Sequence, residues 1–299
     1  MELHRKNDHA GAIKLYNEII QLNPNYFEAY NNRGLAYMVG LKQYERAIKD
    51  FDKAIQLNPN YANAYNNRGN AYFDLGQNKK AIKDFNKAIA LNTNLAETYY
   101  NRGNVYYDLE QYERAIQDFS NTIALNPNYA EAYNSRGLVY YDLGQFDKAI
   151  QDFNKSIELK NPELHSVYNN RGNAYQSLKQ YEIAIQDYNK AISLNPNLAE
   201  AYINRGTIYG AIRQYEKAIK DFDKAIQINP NLASAYLSRG FAYGILGNLN
   251  QAIEDITKSI NLEPNNAIKY KIRGTCYQEL GNEVKARADF KKAKKLGLE

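Results

Sequence analysis

The chain has 299 residues, 44% of them hydrophobic and 24% charged, and its 38 Lys and Arg against 33 Asp and Glu give a formal net charge of +5. This composition excludes a disordered chain, which needs fewer apolar residues and a stronger charge imbalance, and the charge is modest for a nucleic-acid binder. No apolar run approaches the roughly 18 residues of a membrane-spanning helix, and Met1 to Ala10 is too polar for a secretory signal, so a cytoplasmic or otherwise reducing location is expected.

Cys276 has no second cysteine to pair with, and the scattered His4, His9 and His165 offer no metal-ligand spacing. With no Ser-His-Asp, Cys-His or phosphate-loop constellation, no enzyme activity, metal or cofactor is expected.

Residues 1–26 match the end of one helical pattern and all of a second, through Ala12, Tyr16, Ile19 and Pro24. Eight tandem repeats follow, at 27–61, 62–95, 96–129, 130–164, 165–198, 199–232, 233–266 and 267–299. An Arg-Gly pair marks each one, at 33, 68, 102, 136, 171, 205, 239 and 273, a spacing of 34 or 35 residues that leaves no long linker. With the glycine as position 8, every first helix (helix A) carries Tyr at positions 4 and 11, from Tyr30 and Tyr37 to Tyr270 and Tyr277. Positions 4, 8 and 11 share one helical face, and the glycine between the rings lets a neighbouring helix come close. Those two positions account for sixteen of the 28 tyrosines, so the Tyr content reflects packing rather than an aromatic binding site.

The second helix (helix B) carries Ala at position 20, mostly Phe at 24, small residues at 27 and Ile at 28, an apolar stripe of helical period. Small side chains facing large ones interlock two antiparallel helices, so each repeat is expected to be a helical hairpin. All seven prolines stand at position 32, six of them after an Asn suited to ending helix B and Pro264 after Glu263; Thr93 is the exception to the proline.

An aromatic at 4, Gly at 8, Tyr at 11, Ala at 20, an aromatic at 24, small residues at 27 and Pro at 32 make the chain resemble the tetratricopeptide repeat family over nearly its whole length. The resemblance implies an all-α, right-handed superhelical solenoid of antiparallel helix pairs. It implies no single function, since the family's functions are diverse. The chain departs from the family pattern at position 7, where Arg replaces a commonly apolar residue. Asp at position 23 accompanies it in every repeat, from Asp50 to Asp289. Two readings follow: an Arg–Asp ladder along the seam between helices A and B, or a row of arginines that grips an acidic ligand. The ladder is the expectation.

The resemblance places helix-A positions 2, 5, 6, 9, 12 and 13 on the inner, concave wall, the expected partner-binding face. Position 6 carries Asn32, Asn67, Asn101, Asn170 and Asn204, and position 9 adds Asn70, Asn104 and Asn173. Such a ladder of amides pairs with an extended peptide of any sequence, or merely keeps the wall soluble. Similar position-6 asparagines line the grooves of some superhelices in this family, including the arm of a larger enzyme. Toward the C-terminus the wall turns apolar, through Ile203, Thr207, Gly210, Ala211, Leu237, Phe241, Gly244 and Ile245. The missing bulk at Gly210 and Gly244 suggests a pocket for an apolar anchor. Asp74, Asp108 and Asp142 at position 13 suit a basic segment or a solvated helix end.

The family's clamp for chaperone-tail carboxylates needs cations that positions 2 and 5 mostly lack, so that mode is not expected. Arg287, Lys291, Lys292, Lys294 and Lys295 read as the polar cap a solenoid needs, with an anionic or nucleic-acid surface as the alternative. Cys276 at position 10 reads as a buried structural thiol. The partial repeat at the start reads as a continuation of a longer array or as a seam for end-to-end self-association. The expected partner is therefore a protein or peptide, held by a non-catalytic scaffold or by the recruiting arm of a larger enzyme, with no membrane partner.

Overall fold

The computed structural model describes residues 8–298; Met1 to Asn7, including His4 and most of the polar start, and Glu299 lie outside the described residues. The described residues form seventeen α-helices and no strand. After a first helix, His9–Leu22, helices A and B alternate from Phe27 onward; Ala62–Asp74 and Asn78–Leu91 are one such pair. Within each unit consecutive helices joined by short turns pack as antiparallel hairpins. Two compact units result, Met1–Gly144 and Gln145–Glu299, each a stack of such pairs. Among the described residues no helix is long and apolar enough to cross a membrane.

The turns follow local chemistry. Helix B ends at an Asn in extended backbone, such as Asn58 at φ −137° and ψ 92°. Its side-chain oxygen accepts from the N–H two residues on, at 3.0 Å for Asn60, and Asn23, Asn92, Asn126, Asn161, Asn195 and Asn229 do the same. Asn thus stops the helix by an Asx turn, not by the left-handed cap its presence suggests. The left-handed residue lies mostly in the turn from helix A to helix B, as Gly76, Gly144, Gly247 and Gly281 or as Lys42, Glu110, Lys179 and Arg213; among the described residues Lys160 and Gly297 take it after a helix B. One of the two 35-residue spacings arises inside a helix: the extra residue of the first repeat is absorbed as a π-helical turn, Ala36–Gly40.

The position-8 glycines are packing glycines. A Cβ on Gly69 would lie 2.6 Å from the buried Phe85 ring, and Gly34, Gly103, Gly172, Gly206 and Gly274 face position-24 rings at 2.6–2.9 Å. Close contact between helices A and B within a repeat depends on them. Gly69→Ala is expected to lower stability by about 1–3 kcal/mol, the cost of overpacking, despite the better helix propensity of Ala; urea denaturation measures it.

The Arg–Asp ladder forms. In seven repeats guanidinium Nε and Nη2 donate to both oxygens of the position-23 carboxylate at 2.6–2.8 Å: Arg33–Asp50, Arg68–Asp84, Arg102–Asp118, Arg171–Asp187, Arg205–Asp221, Arg239–Asp255 and Arg273–Asp289. Arg136 and Asp152 fall in different units. The third arm, Nη1, reaches back to position 25 of the preceding helix B, for example from Arg102 to Asn86, Arg136 to Ser120 and Arg205 to Asn189. The plane of Arg68 also lies 5.5 and 6.0 Å from the rings of Tyr65 and Tyr72, so the position-4 and position-11 tyrosines flank it. Burial works against the charge of Arg68, yet the Asp84 and Asp52 carboxylates hold its pKa above the ordinary value.

These pairs are partly buried, with side-chain exposures of 17% for Arg102 and 3% for Asp118. Asp118→Ala, which strands Arg102 among its tyrosines, is therefore expected to cost about 3–5 kcal/mol. A loss under about 1 kcal/mol in urea denaturation, the range of an exposed pair, would contradict this assignment.

Candidate functional site

The helix-A wall divides into residues that hold repeats together and residues that remain available. In Met1–Gly144 the asparagines form one relay. Asn101 donates to Asn66 Oδ1 (3.2 Å), Asn66 to Asn67 Oδ1 (3.4 Å), Asn67 to Asn31 Oδ1 (2.9 Å) and Asn31 to Asn32 Oδ1 (3.3 Å). In Gln145–Glu299, Asn204 donates to Asn169 (3.2 Å) and to Asn173 (2.9 Å), and the Tyr188 hydroxyl lies 2.8 Å from both Asn173 Oδ1 and Gln176 Oε1. The position-5 members Asn31, Asn66 and Asn169 are buried, not on the open wall where the sequence puts them.

Half-buried Asn67, Asn101 and Asn204 therefore spend amide capacity on the preceding repeat. A buried polar group needs such a partner, and each link contributes about 0.5–1.5 kcal/mol. Asn170 is also engaged. Half-buried Asn70 and Asn104 have no side-chain hydrogen bond among the described residues and keep both donor and acceptor.

The position-13 aspartates are likewise used in part: Tyr107 donates to Asp142 at 2.7 Å and Asn78 to Asp108 at 3.4 Å, each across to a neighbouring repeat. Burial and the Asp142 carboxylate both push the Tyr107 hydroxyl pKa up. Two of the three aspartates read as groove acids thus join repeats.

The apolar stretch lies within Gln145–Glu299. Ile203 is half-buried and packs in part against Tyr202, Ala225 and Ala235. Leu237 and Phe241 face a cleft of about 360 Å³, walled also by Gly210, Ala211 and Ile272. A second cleft of about 250 Å³ lies across Phe241, with Gly244, Ile245, Ile272, Lys271 and Cys276. Phe241 and Ile245 are 51% and 53% exposed, one turn apart on Ala233–Ile245. Cys276 is buried as expected, and burial raises its thiol pKa.

Gly210 and Gly244 differ in kind from the packing glycines. A Cβ on Gly210 would meet nothing within 4 Å, and one on Gly244 only ordinary contacts, Cys276 Sγ at 3.8 Å and Ala252 Cβ at 3.9 Å. Both are helical, and packing explains neither. Sequence reasoning missed Ile272, which walls both clefts; the available signal is that position 6, Asn or Ser in every other repeat, is Ile there. Lys271, the one lysine at position 5, is exposed beside the second cleft.

Stacked helix hairpins with such a wall define a protein-interaction scaffold. The chain matches the "TPR repeat" family at residues 2–40, 41–76, 69–109 and 103–144, and the "Tetratricopeptide repeat" family at 130–160, 165–198, 199–232 and 222–254. It belongs to the tetratricopeptide repeat family.

Among solved structures it resembles the APC/C hetero-tetramer Cut9-Hcn1, at 21% identity and TM-score 0.69 over 80% of this chain and 47% of that one, so the chain spans about half the length of that relative. A tetratricopeptide repeat protein from Parabacteroides merdae matches at 20% identity and TM-score 0.63, over 84% of this chain and 98% of that one. YrrB, described as a TPR protein with an unusual peptide-binding site, matches at 25% identity and TM-score 0.51, over 62% of this chain and 95% of that one. No curated protein matches the chain.

Because space around Gly210 is open, Gly210→Ala is expected to raise stability by about 0.5 kcal/mol, the lower end of the helix-propensity gain near a helix end. Gly206→Ala, four residues away with a Cβ 2.9 Å from the Phe222 ring, is expected to lower it. Paired thermal denaturation tests the opposite signs.

Proposed function

We propose that the chain is a non-catalytic scaffold that holds an extended peptide segment of a partner protein against its helix-A wall. The observation that carries this reading is the pair Phe241 and Ile245, half-exposed beside open clefts on a wall where most other large side chains are packed away. A large apolar side chain kept in water next to a cavity marks an interaction site more often than a stability device. Within Met1–Gly144, Asn70 and Asn104 at position 9 of helix A separately offer amides suited to a peptide backbone. The similarity to YrrB supports a peptide as the kind of ligand.

Amide contacts at about 0.5–1.5 kcal/mol each give only weak binding after ordering costs, so the apolar anchor supplies most of the affinity. The test compares the intact chain with a Phe241→Ser, Ile245→Ser variant on a peptide array, after circular dichroism shows both folded. The variant is expected to lose the peptides that the intact chain retains, by tenfold or more in affinity. Unchanged binding would move the site elsewhere. The Asn70→Ala, Asn104→Ala variant is expected to weaken binding less and without loss of fold, whereas Asn67→Ala is expected to destabilise the stack by about 1 kcal/mol.

A further inference from the structure

Gly210 and Gly244 occupy position 12, where the other repeats carry Met38, Phe73, Tyr107, Tyr141, Gln176 and Gln278. Glycine near a helix end lowers stability relative to alanine, and at these two sites no neighbour requires it. What the missing side chains provide is the floor of two clefts that share Phe241 and Ile272 as a common partition. Their volumes of about 360 and 250 Å³ sit near the lower end of whole small-molecule sites. Two such spaces side by side suit two side chains of one ligand better than one compact ligand.

In an extended peptide, residues i and i+2 point to the same side, roughly 6.6–6.8 Å apart. One apolar side chain on each face of the Phe241 ring is the arrangement that spacing permits.

Charge fixes the flank. Lys271 lines the second cleft and also a third, smaller one with Phe290, Ala293, Lys294 and Leu298. Neither Lys271 nor Lys294 has a carboxylate partner among the described residues. Glu279 also lines the second cleft but stands eight residues further along the same helix, about 12 Å away. The lysine end of the cleft row is therefore cationic and the Glu279 end is not.

We infer that the site takes an extended peptide bearing an apolar–X–apolar pair, its two side chains seated either side of Phe241 over Gly210 and Gly244, flanked by an acidic residue that meets Lys271 and Lys294. This deepens the peptide-binding reading above and rests on it.

The test selects binders from a phage-displayed random peptide library on the intact chain and measures the recovered sequences as fluorescent synthetic peptides. Three proteins are compared: the intact chain, a Gly210→Leu, Gly244→Leu variant that fills both clefts, and a Lys271→Glu, Lys294→Glu variant. The filled variant has room for its new side chains, so its melting temperature is expected to hold or rise while peptide affinity falls at least tenfold. The charge-reversed variant is expected to weaken acidic-flanked peptides several-fold and to regain affinity for versions with Lys in place of the acid.

Selected peptides that lack the apolar–X–apolar pair, or that bind the filled variant unchanged, would overturn the subsite assignment and leave the peptide-binding reading standing. Recovery of no peptide, with the clefts occupied instead by a second copy in sedimentation or by lipid vesicles in flotation, would overturn both.

Discussion

Each position-7 arginine joins three helices. In seven repeats two of its arms fix the aspartate of its own helix B while the third reaches the preceding helix B, and in most of them tyrosines lie on both sides of its plane, as at Arg68. A guanidinium can do this because its donors are fixed in one plane and its charge does not titrate away; lysine in its place would keep the charge and lose the fork. The hairpin's internal geometry and its spacing to the next hairpin are thereby set by one side chain, repeated through each unit. The asparagine relay adds a second stitch on the opposite side of helix A, and the position-8 glycine allows the two helices close enough for both to form.

With so many positions committed to stacking, what is left on the helix-A wall is small and specific. Tyrosines and position-24 rings are packed, most position-6 amides are occupied, and two of the three position-13 aspartates bridge neighbours. Against that background, exposed Phe241 and Ile245 beside two glycines without a packing role are departures from the repeat, and departures carry the functional argument because packing does not account for them. The same reasoning lowers the weight of features that look functional by composition alone, the tyrosines and arginines above all.

Much of the fold was legible because the constraints repeat. Glycine at 8, Ala at 20 and a ring at 24 recur at a fixed period, and Arg at 7 with Asp at 23 leaves little else for a charged pair to do at a seam. The cleft was legible too, since Gly210 and Gly244 stand where other repeats carry larger side chains. Periodicity could not say which of two adjacent polar positions lies between hairpins. Positions 5 and 6 are both Asn in several repeats, yet Asn31, Asn66 and Asn169 are buried and their neighbours half-buried, because the contact with the next repeat falls between them. The inserted residue of the first repeat showed in the spacing, but its absorption as a π-helical turn depends on backbone hydrogen bonding that no side-chain pattern reports.

In the proposed complex, apolar side chains of an extended peptide occupy the clefts on the two sides of Phe241. A crystal structure of the chain with a selected peptide tests it most directly. The peptide backbone is expected to run along the helix-A wall of Gln145–Glu299, with alternate side chains over Gly210 and Gly244. A peptide seated on the helix-B face, with both clefts open to solvent, would contradict it.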